Sequence, residues 1–215
     1  MENSEFQYLD KPVSQVEHMT QKPMEPDHSD LRTNILTTLH DLVFVLAGLL
    51  LVLLLVFRVV IVSGPSMNAT LIDGDYILLL GNVLYTNQKQ GDIIVASKDS
   101  FKNGEPIIKR IIATEGQVVD IDFTAGIVYV DGVAMDEPYT KTPTNIQEGM
   151  SFPLTVDPGC VFVMGDNRNL SKDSRSLEIG LIDKREILGK AIFLIFPGTE
   201  GGKIPLQLDR IGGIA

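Results

Sequence analysis

The stretch Val62–Asp75, "VSGPSMNATLIDGD", divides the chain into two kinds of sequence. Before it, no charged residue occurs from Leu42 to Phe57, and extension to Val62 adds only Arg58. Those 21 residues make a helix of about 32 Å, enough to cross a hydrocarbon core of about 30 Å. The preceding tail is too long and too acidic for the n-region of a cleaved leader. A single membrane-spanning helix is therefore expected. After residue 70 the pattern changes to short β-rich runs separated by turn residues. Within the dividing stretch, Gly64 and Pro65 force a bend directly before Ser66, so a serine stands in a turn close to where the apolar run stops.

Working outward, residues 1–30 hold Pro12, Pro23, Pro26 and many acids with few large apolar residues, which reads as a disordered tail. Leu31, Ile35, Leu36 and Leu39 recur at helical spacing, with Ser29 or Asp30 as cap. Residues 31–62 form the juxtamembrane turn and spanning helix, 63–200 a β-rich domain, and 201–215 a C-terminal tail. Expected strands are Tyr76–Leu80, Asp92–Ala96, Ile107–Thr114, Val118–Asp122, Ile127–Val130, Val161–Met164 and Ile187–Phe196. Asp131-Gly132 is a hairpin turn dipeptide, and residues 136–158 read as a long irregular connection. The fold class is mainly β, a barrel-like antiparallel domain after one N-terminal helix. Lys22 and Arg32 precede the apolar run, whereas beyond Arg58 the next basic residue is Lys89. That asymmetry favours a cytoplasmic N-terminus and an external β domain.

Composition narrows the chemistry. The net charge of −10 argues against a nucleic-acid binder. The only cysteine, Cys160, rules out an internal disulfide. All three histidines (His18, His28 and His40) precede the apolar run, so the β domain contains no Ser-His-Asp triad, no Cys-His pair and no histidine-ligated zinc. A serine needs a base to become a nucleophile, and lysine or carboxylate remains. In "IIKRIIAT", Ile107–Thr114, strand alternation places Lys109 with Ile107, Ile111 and Ala113, and Arg110 opposite with Ile108 and Ile112. A lysine on an apolar face loses hydration, which favours its neutral amine and allows the Ser-Lys form of a nucleophile–base pair. Taken singly, Ser66 also fits a turn residue and Lys109 an edge-strand lysine. A third segment, "VFVMGDNRNLSKDSR", Val161–Arg175, places a dense polar loop after a strand. There Asp173 can pair with Arg175 or Arg110, and the Ser171 hydroxyl can accept a hydrogen bond from a lysine.

Together these segments resemble the type I signal peptidase family. "SGPSMNATL" is similar to its nucleophile box, "IKRII" to its general-base box and "GDNRNLSKDSR" to its last box, and their order after a membrane anchor also matches. The resemblance covers residues 35–200. It implies a serine endopeptidase of the bacterial cytoplasmic membrane that removes N-terminal signal peptides from exported preproteins through an acyl-enzyme. Ser66 would be the nucleophile and Lys109 the base. Ser171 would position the lysine, with Asp173, Arg175 and Arg110 as supporting charges. Gly64, Met67 and Ile107 would shape the oxyanion and substrate sites. Gly64 stands where some members carry a serine, and Ala69 where the family usually has proline. The implied partners are signal peptides of secreted preproteins and the lipid bilayer, with no nucleic acid, no metal and no organic cofactor, and a monomer is expected. Three other readings stay open. One is a Ser-Lys peptidase of another kind, another a catalytically inactive membrane-tethered β-module for assembly or binding, and the last an aspartyl-type site at Asp166 and Asp173.

Overall fold

A computed structural model describes residues 28–214 apart from Ala69; the side chains of residues 28–31 and of Lys102 are outside that description. The tail expected over residues 1–30 therefore lies outside the described residues, except for its last three, which are helical. Two compact units divide at Ala47/Gly48.

Helix α1 runs from His28 to Val56. Ser29 and Asp30, expected as caps, lie inside it. Its segment Arg32–Val56 contains an 18-residue window with a mean hydropathy of 2.7 and is long and apolar enough to cross a membrane. The expected helix over residues 42–62 needs correction at its C-terminal end. Phe57–Ile61 is a strand, β1, paired antiparallel with Tyr76–Gly81, β2, in the register Phe57↔Leu80 to Ile61↔Tyr76. Absence of charge cannot distinguish helix from strand, but the run Phe57, Val59, Val60, Ile61 is aromatic and β-branched, a composition that favours a pleated surface.

The remaining strands in chain order are β3 (Ile93–Ala96), β4 (Ile107–Thr114), β5 (Val118–Asp122), β6 (Ile127–Val130), β7 (Val133–Ala134), β8 (Leu154–Thr155), β9 (Cys160–Met164), β10 (Ile182–Asp183), β11 (Ile187–Phe196) and β12 (Gly212–Gly213). The fold is mainly β. A curled eight-stranded sheet has the order β1-β2-β11-β3-β4-β9-β10 with β12 added to β11, and a four-stranded sheet has the order β7-β6-β5-β8. All pairings in both are antiparallel. The expected hairpin is present: Asp131 and Gly132 both have positive φ, 53° and 78°, the requirement of the tight turn that joins β6 to β7. Residues 201–215, expected as a tail, contain the 3₁₀ turn Leu208–Arg210 and β12, which pairs Gly213 with Phe193.

Strand alternation sends side chains of the large sheet to two sides. Ile77, Leu79, Ile93, Val95 and Ile108 join Met67 and Leu71 in one apolar cluster. Ile94, Ala96, Ile111, Val161 and Val163 form a second. The expected face of β4 is interrupted by a register shift between Ile111 and Ala113. Ala113 consequently joins Ile112 in a third cluster with Val119, Ile121, Val128 and Phe162. β4 thus serves both sheets, its first half carrying Lys109 and Arg110 and its second half anchoring the four-stranded sheet.

Candidate active site

The turn after β1 is closed at its base by Val62 N–H to the Asp75 carbonyl, 2.8 Å, and Gly74 N–H to the Val62 carbonyl, 2.9 Å. Gly64 has φ +85°, a region in which an L side chain is strained, and its N–H donates to Asp73 Oδ1 at 2.8 Å. This reversal turns the chain so that Met67, 1% exposed, enters the first apolar cluster. Ser66, directly before that anchor, stays half-buried at the cleft.

β4 brings Lys109 to it. The lysine is 4% exposed, and its Nζ donates to Ser66 Oγ at 2.8 Å and to the Ile108 carbonyl at 3.0 Å. An amine in this position can take the hydroxyl proton as the oxygen attacks, provided it is neutral, and burial disfavours the charged form.

The loop after β9 clasps the same turn from the other side. Asn167 N–H donates to the Ser66 carbonyl, 3.0 Å, and its side-chain amide to the Pro65 carbonyl, 3.0 Å. Gly165 makes this approach possible: a Cβ there would overlap Ser66 O and Ser171 Oγ. Asp166 accepts both Nε and Nη2 of Arg110, each at 2.9 Å, and also the Thr70 hydroxyl. Asp173 accepts Nε and Nη2 of Arg175 at 2.8 and 2.9 Å and the Gly165 N–H at 3.0 Å. All four of these charged residues are buried, where a pair holds only if its lone pairs and protons are matched.

Two expectations are corrected here. Arg110 does not join Asp173 and Arg175; it pairs with Asp166, because β4 pairs Arg110 with Met164, two residues before that acid. Ser171 is buried at 1% exposure, yet its hydroxyl has no hydrogen-bond partner among the described residues, so it does not hold the lysine in this structure. The aspartyl-type alternative fails on the same geometry: Asp166 and Asp173 each face their own arginine rather than one another. Gly64, Met67 and Ile107 do come together with Ser66 and Lys109, lining a cavity of about 620 Å³ between residues 60–67 and 105–109.

The sequence reading missed part of the support. Arg168, 1% exposed, is clamped by Glu137 at 2.5 Å and by Thr144 at 2.9 Å. The Tyr139 ring lies 4.0 Å from the Arg110 guanidinium. Burial and the neighbouring Glu137 carboxylate push the Tyr139 phenol above its ordinary range, so it stays a neutral stacking surface. Nothing in the stretch "MDEPYT" distinguishes these two residues from ordinary loop residues. Among the described residues, His, Cys, Asp and Glu side chains form no group of three placed to hold a metal ion.

The family model for "Signal peptidase, peptidase S26" matches residues 35–196. The chain belongs to that family. Signal peptide removal is the activity of the family, and membership makes the chain a serine peptidase of the signal peptidase I type. It is 36% identical over 159 residues to a signal peptidase I of Bacillus licheniformis, covering 70% of this chain and 83% of that protein. It is 34% identical over 176 residues to a probable signal peptidase I-1 of Synechocystis, 77% of this chain and 86% of that one. Signal peptidase I S of Bacillus subtilis is 30% identical over 186 residues, 82% and 97% of the two chains. A solved signal peptidase I of Enterococcus faecalis V583 superposes with a TM-score of 0.40 at 27% identity, over 49% of this chain and 97% of that one.

Proposed function

We propose that the chain removes N-terminal signal peptides from exported preproteins with a Ser66–Lys109 dyad. The observation that carries this reading is the 2.8 Å hydrogen bond from the buried Lys109 amine to the Ser66 hydroxyl. In the first step the neutral amine takes the hydroxyl proton as Ser66 Oγ attacks the scissile carbonyl. The ammonium so formed then protonates the departing amine, leaving the signal peptide esterified to Ser66. In the second step Lys109 takes a proton from water, the hydroxide attacks the ester, and Ser66 regains its proton. The Ser66 N–H serves as one oxyanion donor, with Gly64 keeping the backbone in the required geometry.

Substrate binds extended, as an added strand, between residues 60–66 and 105–109. β4 supports this: β9 pairs with it from Arg110 onward, and Ile107, Ile108 and Lys109 line the cleft. Ile107 and Met67 face the side chains before the scissile bond. Asp166 with Arg110, and Asp173 with Arg175, hold the two walls in register. Ser171 packs against Gly165, where a Cβ would overlap its hydroxyl.

Helix α1 anchors the enzyme in the bacterial cytoplasmic membrane, N-terminus inside and β domain outside, as a monomer. The apolar segment Arg32–Val56 supports the anchor. Confining enzyme and preprotein to one bilayer raises their effective concentration. The test is to express the full chain with a secreted preprotein, alongside Ser66→Ala and Lys109→Ala. Processing by the parent and by neither variant is expected; full processing by Lys109→Ala contradicts the dyad.

A further inference from the structure

Beyond β11 the chain leaves the residues matched by the family model and crosses the loop that carries Ser66. Gly198 packs so closely on residues 73–75 that a Cβ there would overlap Asp73 O, Gly74 C and Asp75 N. The Gly198 N–H donates to Asp75 Oδ1 at 2.7 Å. Glu200 N–H donates to the Asp73 carbonyl, and the Asn68 side chain donates to Glu200 Oε1, both at 3.2 Å. Arg210 then reaches back, with Nη1 to Asp75 Oδ1 at 2.9 Å, Nη2 to Asp75 Oδ2 at 2.7 Å and Nη2 to the Thr70 carbonyl at 3.2 Å. Pairing of β12 with β11 fixes where Arg210 sits, and Ile214 packs against the cluster containing Met67 and Leu71.

We infer that residues 197–214 are a strap that holds the nucleophile loop in its working position, with Arg210 as the positioning residue. Asp75 is fully buried. Its carboxylate binds one donor from its own loop, the Ile72 N–H at 2.8 Å, and three from the strap. Without Arg210 this charge is left buried and under-compensated, so the loop shifts. The other side of the loop is pinned by Asn167 and by Thr70 on Asp166, so the strap closes a clasp around Ser66. A displacement of about 1 Å at a reacting group costs on the order of a hundredfold in rate. The strap should therefore act on kcat and leave the substrate cleft, lined by residues 60–67 and 105–109, largely unchanged.

The inference rests on Ser66 being the nucleophile, and the experiment separates the two. Full-length enzyme in detergent is assayed on a signal-peptide substrate as the parent, Ser66→Ala, Arg210→Ala, Arg210→Lys and Glu200→Ala, with melting curves for each. An inactive parent or an active Ser66→Ala overturns the nucleophile itself. With those controls in place, Arg210→Ala is expected to lose about tenfold or more in kcat with KM within about twofold. Non-denaturing guanidinium should restore part of that loss, and Arg210→Lys, which keeps the charge but loses the bidentate fork, should fall between the parent and Arg210→Ala. Glu200→Ala, which keeps the backbone bond, should lose about twofold in kcat without a lower melting temperature. If Arg210→Ala does not fold, Arg210→Lys and Glu200→Ala decide. Parental kcat in every folded strap variant, a rise in KM alone, or a loss that neither lysine nor guanidinium relieves overturns the strap.

Discussion

On β4, in the eight-stranded sheet, Lys109 and Arg110 are inside, 4% and 3% exposed. On β5, in the four-stranded sheet, Asp120 and Asp122 face solvent while Val119 and Ile121 between them are buried. The smaller sheet follows the ordinary alternation of a half-buried strand, and its stability comes from apolar area. The larger sheet buries lysine, arginine and aspartate around one turn, an arrangement that a well-packed apolar core would match or exceed in stability. Charges placed there serve chemistry and geometry rather than stability. β4 belongs to the larger sheet but packs Ile112 and Ala113 into the core of the smaller one, so the apolar sheet acts as a base that holds the costly one still.

The largest effect that separates the two regions is Lys109→Met, which keeps the volume and removes the amine. Processing is expected to fall by about a thousandfold or more, while the melting temperature stays level or rises; an activity loss that tracks unfolding would erase the contrast. Next is Asp173→Ala, which leaves Arg175 buried without its carboxylate. Urea unfolding should show a loss of about 3–5 kcal/mol, against about 0.5 kcal/mol or less for the exposed Asp120→Ala. Equal losses at the two positions would break the comparison. Ile121→Val, in the apolar sheet, is expected to lower stability by about 0.5–1.5 kcal/mol with kcat unchanged; a fall in kcat would mean that the base is part of the machine.

The smallest expected effect sharpens the rule about charge. Burial, and then the nearby Asp173 carboxylate, push the Glu148 carboxyl above its usual range, and one of its oxygens is buried without a hydrogen-bond partner among the described residues. The folded state therefore binds this proton more tightly than the unfolded chain. The stability it contributes is present at acid pH and is lost as pH rises from the usual carboxylate range through the raised folded value. Glu148→Gln should melt slightly higher than the parent at pH 7 and coincide with it at acid pH. A lower melting temperature at pH 7 would show the charge to be useful.

Much of this was legible in the sequence, for identifiable reasons. Strands β2 to β6, β9 and β11 are bounded by Gly, Pro and Asp turns and rich in Ile and Val, so local pattern specifies them. Ser66 and Lys109 emerged by elimination, because a domain without histidine has few bases to offer. β1 was lost within the uncharged run that precedes it, since hydropathy measures burial and not backbone conformation. The partner of Arg110 depended on the register of β4 against β9, a long-range property that no window of sequence contains. Glu137 and Tyr139 act from a loop far away in the chain, and Arg210 reaches Asp75 only because β12 folds back on β11. Contacts of that kind appear only once the chain is closed.

The central claim is that the Lys109 amine removes the Ser66 proton in forming an acyl-enzyme. Parent and Lys109→Met enzyme can be mixed with a signal-peptide substrate, quenched in acid within one turnover, digested and weighed. The account predicts the signal-peptide mass esterified to Ser66 in the parent and none in Lys109→Met, although both bind the peptide. An adduct forming on Lys109→Met at the parent's rate, or no adduct on Ser66 in an active parent, would contradict it.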